Sequence, residues 1–275
     1  MIDSHQHFWI YDEVQYPWIP KGSPLQQDWM PEDWHQVGGA IGFSGSIAVQ
    51  ARQSMEESRW LLDLAREHPS IKGVVGWVDL QSPDVETQLI ELSQFQKLVG
   101  VRHVVQDEPD DMFMLRPEFL RGIEKLKSFQ LAYDILIFPR QLPAALELVQ
   151  RFPDQRFVLD HIAKPQIKDA VLSPWREQIQ QFGSFENVWC KVSGMITEAN
   201  HRNWKPMDFK PYLDIVFEAF EPERLMFGSD WPVCLMAGSY NQAFELLEEY
   251  TAQFSSADRH HFFTESAVEA YGLSL

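Results

Sequence analysis

A chain of 275 residues that is 45% hydrophobic and 13% aromatic has ample material for a large packed core, which excludes a disordered polypeptide. Lys and Arg number 23 against 40 Asp and Glu, so the formal charge of −17 repels polyphosphate and anionic lipid, and neither nucleic acid nor a membrane surface is an expected partner. Only Cys190 and Cys234 are present, with no basic-then-apolar leader and no apolar run long enough for a bilayer, so a cytoplasmic enzyme or binding protein is expected.

Taken in chain order, the first β-rich run is MIDSHQHF (1–8). Residues 8 to about 44 follow, carrying Trp9, Trp18, Trp29 and Trp34 with Pro17, Pro20, Pro24 and Pro31. A connection that long is commonly functional, and it reads as a cap over one end of the fold. After GSIAVQ (45–50), Ser54-Met55-Glu56-Glu57 forms a capping-box pattern ahead of SRWLLDLAREH. GVVGWVDL (73–80) comes next, and Ser82-Pro83 puts proline at an expected first helical position before VETQLIELSQFQKL. Strands are further expected at VGVRHVV (99–105), LAYDILI (131–137), RFVLDHI (156–162), NVWCKVSG (187–194) and RLMFGSD (224–230). Helices are expected at about 116–129, 140–151, 173–182, 208–220, 240–253 and 256–271.

Eight strand–helix units predict parallel strands with right-handed crossovers, an α/β fold closing into a (β/α)8 TIM barrel. An open doubly wound sheet is the alternative, but no G-x-G-x-x-G follows the first strand. Without an internal repeat or a Gly/Ser linker, residues 1–275 read as a single domain with a capping loop at about 8–44.

Alternation along a strand puts Asp3, His5 and His7 on one face and Ile2, Ser4 and Phe8 on the other. On an inward face, His5 and His7 meet at the C-terminal mouth of the barrel, and two neutral imidazoles there suit a divalent metal such as zinc. A hydrogen-bonded core pair is the plainer alternative. Other strands also end in ionisable groups: Arg102 and His103, then Asp160, His161 and Lys164, then Lys191, then Asp230. Each alone is readily a structural salt bridge; His5, His7, His161 and Asp230 together point to a site.

The HxH on strand 1, a later strand ending in His and a last strand ending in Asp resemble the amidohydrolase superfamily. DSHQHFW, GVRHVVQDEP, LDHIAKP, KVSGMITEA and FGSDWPVC resemble its sugar-acid lactonase branch, the L-fuconolactonase and L-rhamnonolactonase-like enzymes, over nearly the whole chain. The resemblance implies a hydrolase of carbohydrate catabolism that opens an aldonolactone such as L-fuconolactone with an activated water. It implies one divalent metal, zinc foremost, on His5, His7 and Asp230, or no metal at all. Strand 5 reads AYDILIFP without the His of binuclear relatives, which argues against a two-metal centre.

For lactone opening, Asp230 is the candidate base and later acid, with Trp231 beside it expected to desolvate it and raise its pKa. His161 is expected to orient the water or carbonyl, and His103 to polarise the carbonyl. Arg102 offers a bidentate grip on substrate, while Trp9, Trp18 and Trp77 offer ring platforms, core packing being their alternative. Lys164, Lys191 and Trp231 are further candidate contacts, and His201 lies in a loop after strand 7. Two other readings stay open: a decarboxylase or hydratase of the same fold acting on an unsaturated or aromatic acid, and a barrel that binds without turnover. The expected partner is a small-molecule sugar lactone, and the sequence leaves a homo-oligomer open.

Overall fold

The structure, a computed structural model describing residues 1–274, contains eight parallel strands that hydrogen-bond in chain order. They are β1 (Ile2–Gln6), β2 (Gly45–Val49), β3 (Ile71–Gly76), β4 (Leu98–His103), β5 (Ala132–Ile135), β6 (Phe157–Leu159), β7 (Val188–Val192) and β8 (Leu225–Phe227). The ring is closed between first and last strands by Ser4 Oγ donating to the Phe227 carbonyl (2.6 Å), Asp230 N–H to the His5 carbonyl (2.8 Å) and His7 N–H to the Trp231 carbonyl (2.7 Å). This is the (β/α)8 barrel that the alternation predicts. Each strand stops short of its expected C-terminal end, because there the chain leaves the ladder to form the mouth.

The helices are α1 (Pro31–Val37), α2 (Met55–Glu67), α3 (Val85–Leu92), α4 (Pro117–Leu126), α5 (Leu142–Arg151), α6 (Trp175–Gly183), α7 (Met195–Glu198), α8 (Pro206–Phe220), α9 (Tyr240–Thr251), α10 (Ser256–His260) and α11 (Ser266–Tyr271). α3 is shorter than its pattern suggests and has Asp84 at its N-cap position without a side-chain capping bond, so Pro83 lies outside the helix instead of opening it. The expected final helix is interrupted by a wider turn over His261–Glu265. Among the described residues, no helix is long and apolar enough to cross a membrane.

Two hydrophobic layers hold the barrel. Its interior floor packs Ile2, Ile47, Val99, Ala132, Val158 and Met226 against Ala267, Ala270 and Tyr271 of α11. The outer layer between strands and helices is built from residues such as Leu61, Leu89, Phe119 and Ile179, and burying each such side chain is worth roughly 1.5–3 kcal/mol. The β1–β2 register shifts between Asp3 and Gln6. That irregularity breaks the alternation: Ile2 and His5 both turn inward, while Asp3 turns outward to accept from Trp34 Nε1 (3.1 Å) and the Tyr240 hydroxyl (3.0 Å). Asp3 therefore does not share a face with His5, as strict alternation expects.

Within residues 8–44 the structure contains α1, an antiparallel bridge between Trp9 and Trp29, and a small core of Trp9, Tyr16, Ile19 and Leu25. The segment is joined to α2 through Glu57. Ser54 Oγ accepts the N–H groups of Glu56 and Glu57, but the Glu57 carboxylate does not return to close a capping box. It accepts instead from the backbone of Ala51 (3.0 Å) and Arg52 (2.9 Å) and from the Tyr16 hydroxyl (3.0 Å).

Burial pushes the Glu57 carboxyl up to about 7, despite those three donors. Its folded value exceeds its unfolded one, so the proton is held preferentially by the folded state, and stability falls as pH rises from the unfolded value through about 7. Glu57→Gln removes that titration. Urea unfolding should show the variant gaining on the wild type by on the order of 2 kcal/mol between about pH 5 and 8; parallel pH curves for the two proteins would contradict this.

Candidate active site

β1 delivers two imidazoles to the mouth, and each is oriented by its second ring nitrogen. His7 Nδ1 lies 2.8 Å from the Val49 carbonyl, which can only accept, so Nδ1 carries the proton and Nε2 presents a lone pair. His5 Nδ1 faces Asp160 Oδ1 at 3.4 Å, with Lys191 Nζ at 3.3 Å, while Arg102 Nη1 approaches His5 Nε2 at 3.3 Å as a donor. A proton on Nδ1, directed at Asp160, leaves the Nε2 lone pair for the mouth. His161 Nδ1 is 2.8 Å from Ser193 Oγ. Its Nε2 is left facing Asp230.

The third and fourth groups reach the same point because the chain abandons strand geometry there. Residues 161–164 all have positive φ (55°, 48°, 59° and 48°), a left-handed turn without glycine that costs roughly 1–2 kcal/mol per residue. Buried Ile162 and Ala163 and a bond from Trp175 Nε1 to the Ile162 carbonyl (2.8 Å) hold it. The turn defeats alternation, so neighbouring Asp160 and His161 both face the centre. Asp230 also has positive φ (55°). Its neighbour Ser229 is clamped by Asp3, which accepts from Ser229 N–H (2.9 Å) and Oγ (2.7 Å).

The result is one carboxylate oxygen looking at three ring nitrogens. Asp230 Oδ1 lies 3.8 Å from His5 Nε2, 3.5 Å from His7 Nε2 and 4.0 Å from His161 Nε2. Donor atoms of His5, His161 and Asp230 lie within 4.8 Å of one another. The Nε2 atoms of His5 and His7 stand 3.2 Å apart. Two imidazole lone pairs at that separation repel unless a cation or proton lies between them, and a buried set of three nitrogens and one carboxylate is a donor set that zinc accepts. The residues present fit a divalent ion, with His161 joining the expected His5, His7 and Asp230.

Protonation favours the same conclusion. Burial lowers His5 well below the ordinary histidine range and His161 to about 4, so both are neutral at neutral pH. For Asp230, burial pushes upward, but the charge of His161, which is protonated at the acid pH where this carboxyl titrates, outweighs it together with the contacts of His7 and His5 and holds the carboxyl well below the usual range. This corrects the expected upward shift from Trp231. Beneath the imidazoles, Asp160 is bridged by Arg102 Nη1 (2.9 Å) and Lys191 Nζ (3.0 Å), and Lys191 also pairs with Asp134, which accepts the Tyr271 hydroxyl (2.7 Å).

A cavity of about 690 Å³ opens above this cluster, lined by His7, Arg102, His161 and Asp230 and walled by Trp18 and Lys164, a size suited to a small molecule. Several expected contacts are absent from it. His103 is one place along β4 from inward-facing Arg102, so it faces the helix layer, stacked on Phe113 (4.8 Å) with Nε2 on Glu108 (2.8 Å) and Nδ1 on Trp77 Nε1 (3.4 Å). Neither ring nitrogen is free to polarise a carbonyl. Trp9 is wholly buried with its indole N–H on the Gln27 carbonyl (2.9 Å), and Trp231 is wedged against Trp29 (4.9 Å) and Phe8 (6.4 Å); neither offers a face to a sugar. Arg102 borders the cavity but is engaged by Asp160 and the Gln50 carbonyl. Lys191 is fully buried, and His201 stays in its exposed loop, Nε2 on the Thr197 carbonyl (2.8 Å).

Sequence reasoning missed Asp134, Ser193 and Asp3 as supports. Asp134 and Lys191, charges inside runs that otherwise read as buried strands, were the available signal for the first.

A model of the amidohydrolase family matches residues 2–273. The chain is 39% identical to an L-fucono-1,5-lactonase of Burkholderia multivorans over 99% of this chain and 96% of that protein. It is 35% identical to an L-fucono-1,5-lactonase of Burkholderia ambifaria over 87% and 82%. The crystal structure of a Burkholderia multivorans amidohydrolase with bound zinc, 39% identical, superposes with a TM-score of 0.95 over 99% of both chains.

Elemental analysis after reconstitution and desalting should find about one zinc per chain, and replacing His161 or Asp230 with alanine should largely abolish it. Ser193→Ala and Asp160→Asn, which act on ring orientation, should weaken zinc about 10- to 100-fold. Affinity unchanged across these variants would show that the four groups are not the donors.

Proposed function

Because the chain belongs to the amidohydrolase family, we propose that its cavity opens a sugar-acid lactone, of which L-fucono-1,5-lactone is the leading candidate, by attack of water on the ring carbonyl. It is on this reading a hydrolase of carboxylic ester bonds, a single barrel domain over 1–275 whose segment 8–44 walls the mouth, working in the cytoplasm on a small molecule. The observation that carries the proposal is the convergence of Asp230 Oδ1 on three imidazole nitrogens at the floor of that cavity.

Lactone hydrolysis needs a nucleophilic water, a stabilised oxyanion and a proton for the departing ring oxygen. A divalent ion held by His5, His7, His161 and Asp230 supplies Lewis-acid polarisation when bound. Asp230 takes the proton of the attacking water as the new C–O bond forms. It then passes that proton to the far more basic alkoxide released when the ring C–O bond breaks. The product is an open hydroxy acid. His161, fixed by Ser193, orients the water, and Lys164 stands on the cavity wall paired with Glu198. Trp18, 40% exposed with Nε1 bonded to the Ala51 carbonyl (3.0 Å), gives the sugar ring a fixed apolar face. Arg102 acts through Asp160 and His5.

A pH-indicator assay over L- and D-aldonolactones should show release of acid from L-fucono-1,5-lactone or a close stereoisomer. Asp230→Asn should lower kcat about 10³-fold while the circular dichroism spectrum stays unchanged. A panel left wholly intact, alongside CO₂ release from an aromatic or unsaturated acid, would overturn the lactonase reading in favour of a decarboxylase. Full activity in the variant would remove Asp230 from the mechanism.

A further inference from the structure

We propose that the cavity selects lactones without a charged substituent and that Glu198 sets this selectivity by neutralising Lys164. The inference rests on the lactonase reading of the same site. Among the described residues, three cationic side chains border the cavity, Arg52, Arg102 and Lys164, and each already faces a carboxylate. Arg102 Nη1 is 2.9 Å from Asp160, Lys164 Nζ is 3.7 Å from Glu198, and Arg52 Nη2 is 3.6 Å from Glu56. Asp107, Glu108 and Asp230 border the same space. Away from the imidazole floor that would hold a divalent ion, the described residues of the wall therefore supply no cation in excess to receive a carboxylate or phosphate carried on the far side of the ring.

An anionic substituent entering that space loses hydration without gaining a partner, whereas a neutral polyhydroxylated ring exchanges water for the amide and hydroxyl groups of the wall. Among the three pairs, Lys164–Glu198 is the one whose charge balance decides the outcome. Arg102 is buried beneath the imidazoles, and Glu56 is 79% exposed, so solvent screens its effect on Arg52. Lys164 lies three residues after His161 in the same left-handed turn, and Glu198 ends α7, so two loops of the mouth bring the pair together beside the reacting groups. Burial raises the Glu198 carboxyl; Lys164 opposes that and the charge of Asp230 adds to it, so Glu198 senses both the wall and the centre.

The test compares D-glucono-1,4-lactone with D-glucaro-1,4-lactone, identical rings in which the terminal carbon is a neutral alcohol or a carboxylate. Affinities come from quenching of tryptophan fluorescence, with turnover of L-fucono-1,5-lactone followed in parallel. The wild type should bind the neutral lactone at least about tenfold more tightly, and Glu198→Gln should narrow that ratio by about tenfold. Adding Lys164→Met to Glu198→Gln should restore the wild-type preference. Equal affinities in the wild type, or a ratio that Glu198→Gln leaves unchanged, would overturn the inference. Failure of the wild type to open any neutral aldonolactone would instead overturn the lactonase reading beneath it.

Discussion

Everything at the mouth of this barrel depends on a buried ion cluster at its centre, in which Asp160 is gripped by Arg102 and Lys191, and Lys191 in turn by Asp134. Moving each of these ions out of water costs several kcal/mol, and only close pairing of two cations with two carboxylates makes the arrangement tenable. Its consequence is directional. Asp160 fixes His5 from below, the His5 lone pair turns toward the mouth, and the other imidazoles and Asp230 assemble around that direction.

The barrel interior is thus layered by chemistry. At the floor, α11 closes the ring with Tyr271 among aliphatic side chains, and the hydroxyl of that same Tyr271 reaches up to Asp134. The ionic layer comes next, then the imidazoles, then the cavity. Stability and function are separated along the axis: the apolar floor and outer layer supply the free energy, and the upper layers spend strain on geometry. The left-handed turn over residues 161–164 and the positive φ of Asp230 are where that strain sits, each held by hydrogen bonds and buried neighbours on either side.

Much of this was legible in the sequence because the relevant signals are local. Eight alternations of strand and helix predicted the barrel, and His5, His7, His161 and Asp230 stood out as polar groups where apolar strands end. What was not legible depended on orientation. The bulge in β1 that turns Asp3 outward has no sequence signature, and the left-handed turn that brings Asp160 and His161 to one side runs against the ordinary rule for neighbours. His103 is different, since its outward direction follows from the same alternation that turns Arg102 inward. The pKa of Asp230 moved opposite to expectation because Trp231, adjacent in sequence, matters less than three imidazoles brought from two other segments. Trp18 and Trp9 could not be ranked by residue type; the fold of residues 8–30 buries one and leaves the other at the mouth.

The convergence of four side chains on one ion is most directly tested by anomalous diffraction from crystals of the zinc-loaded protein at the zinc absorption edge. The expected result is a single dominant peak bounded by the Nε2 atoms of His5, His7 and His161 and the carboxylate of Asp230, with nitrogen distances of about 2.0–2.1 Å. A dominant peak elsewhere, or one that leaves His161 or Asp230 out of the coordination sphere, would contradict it.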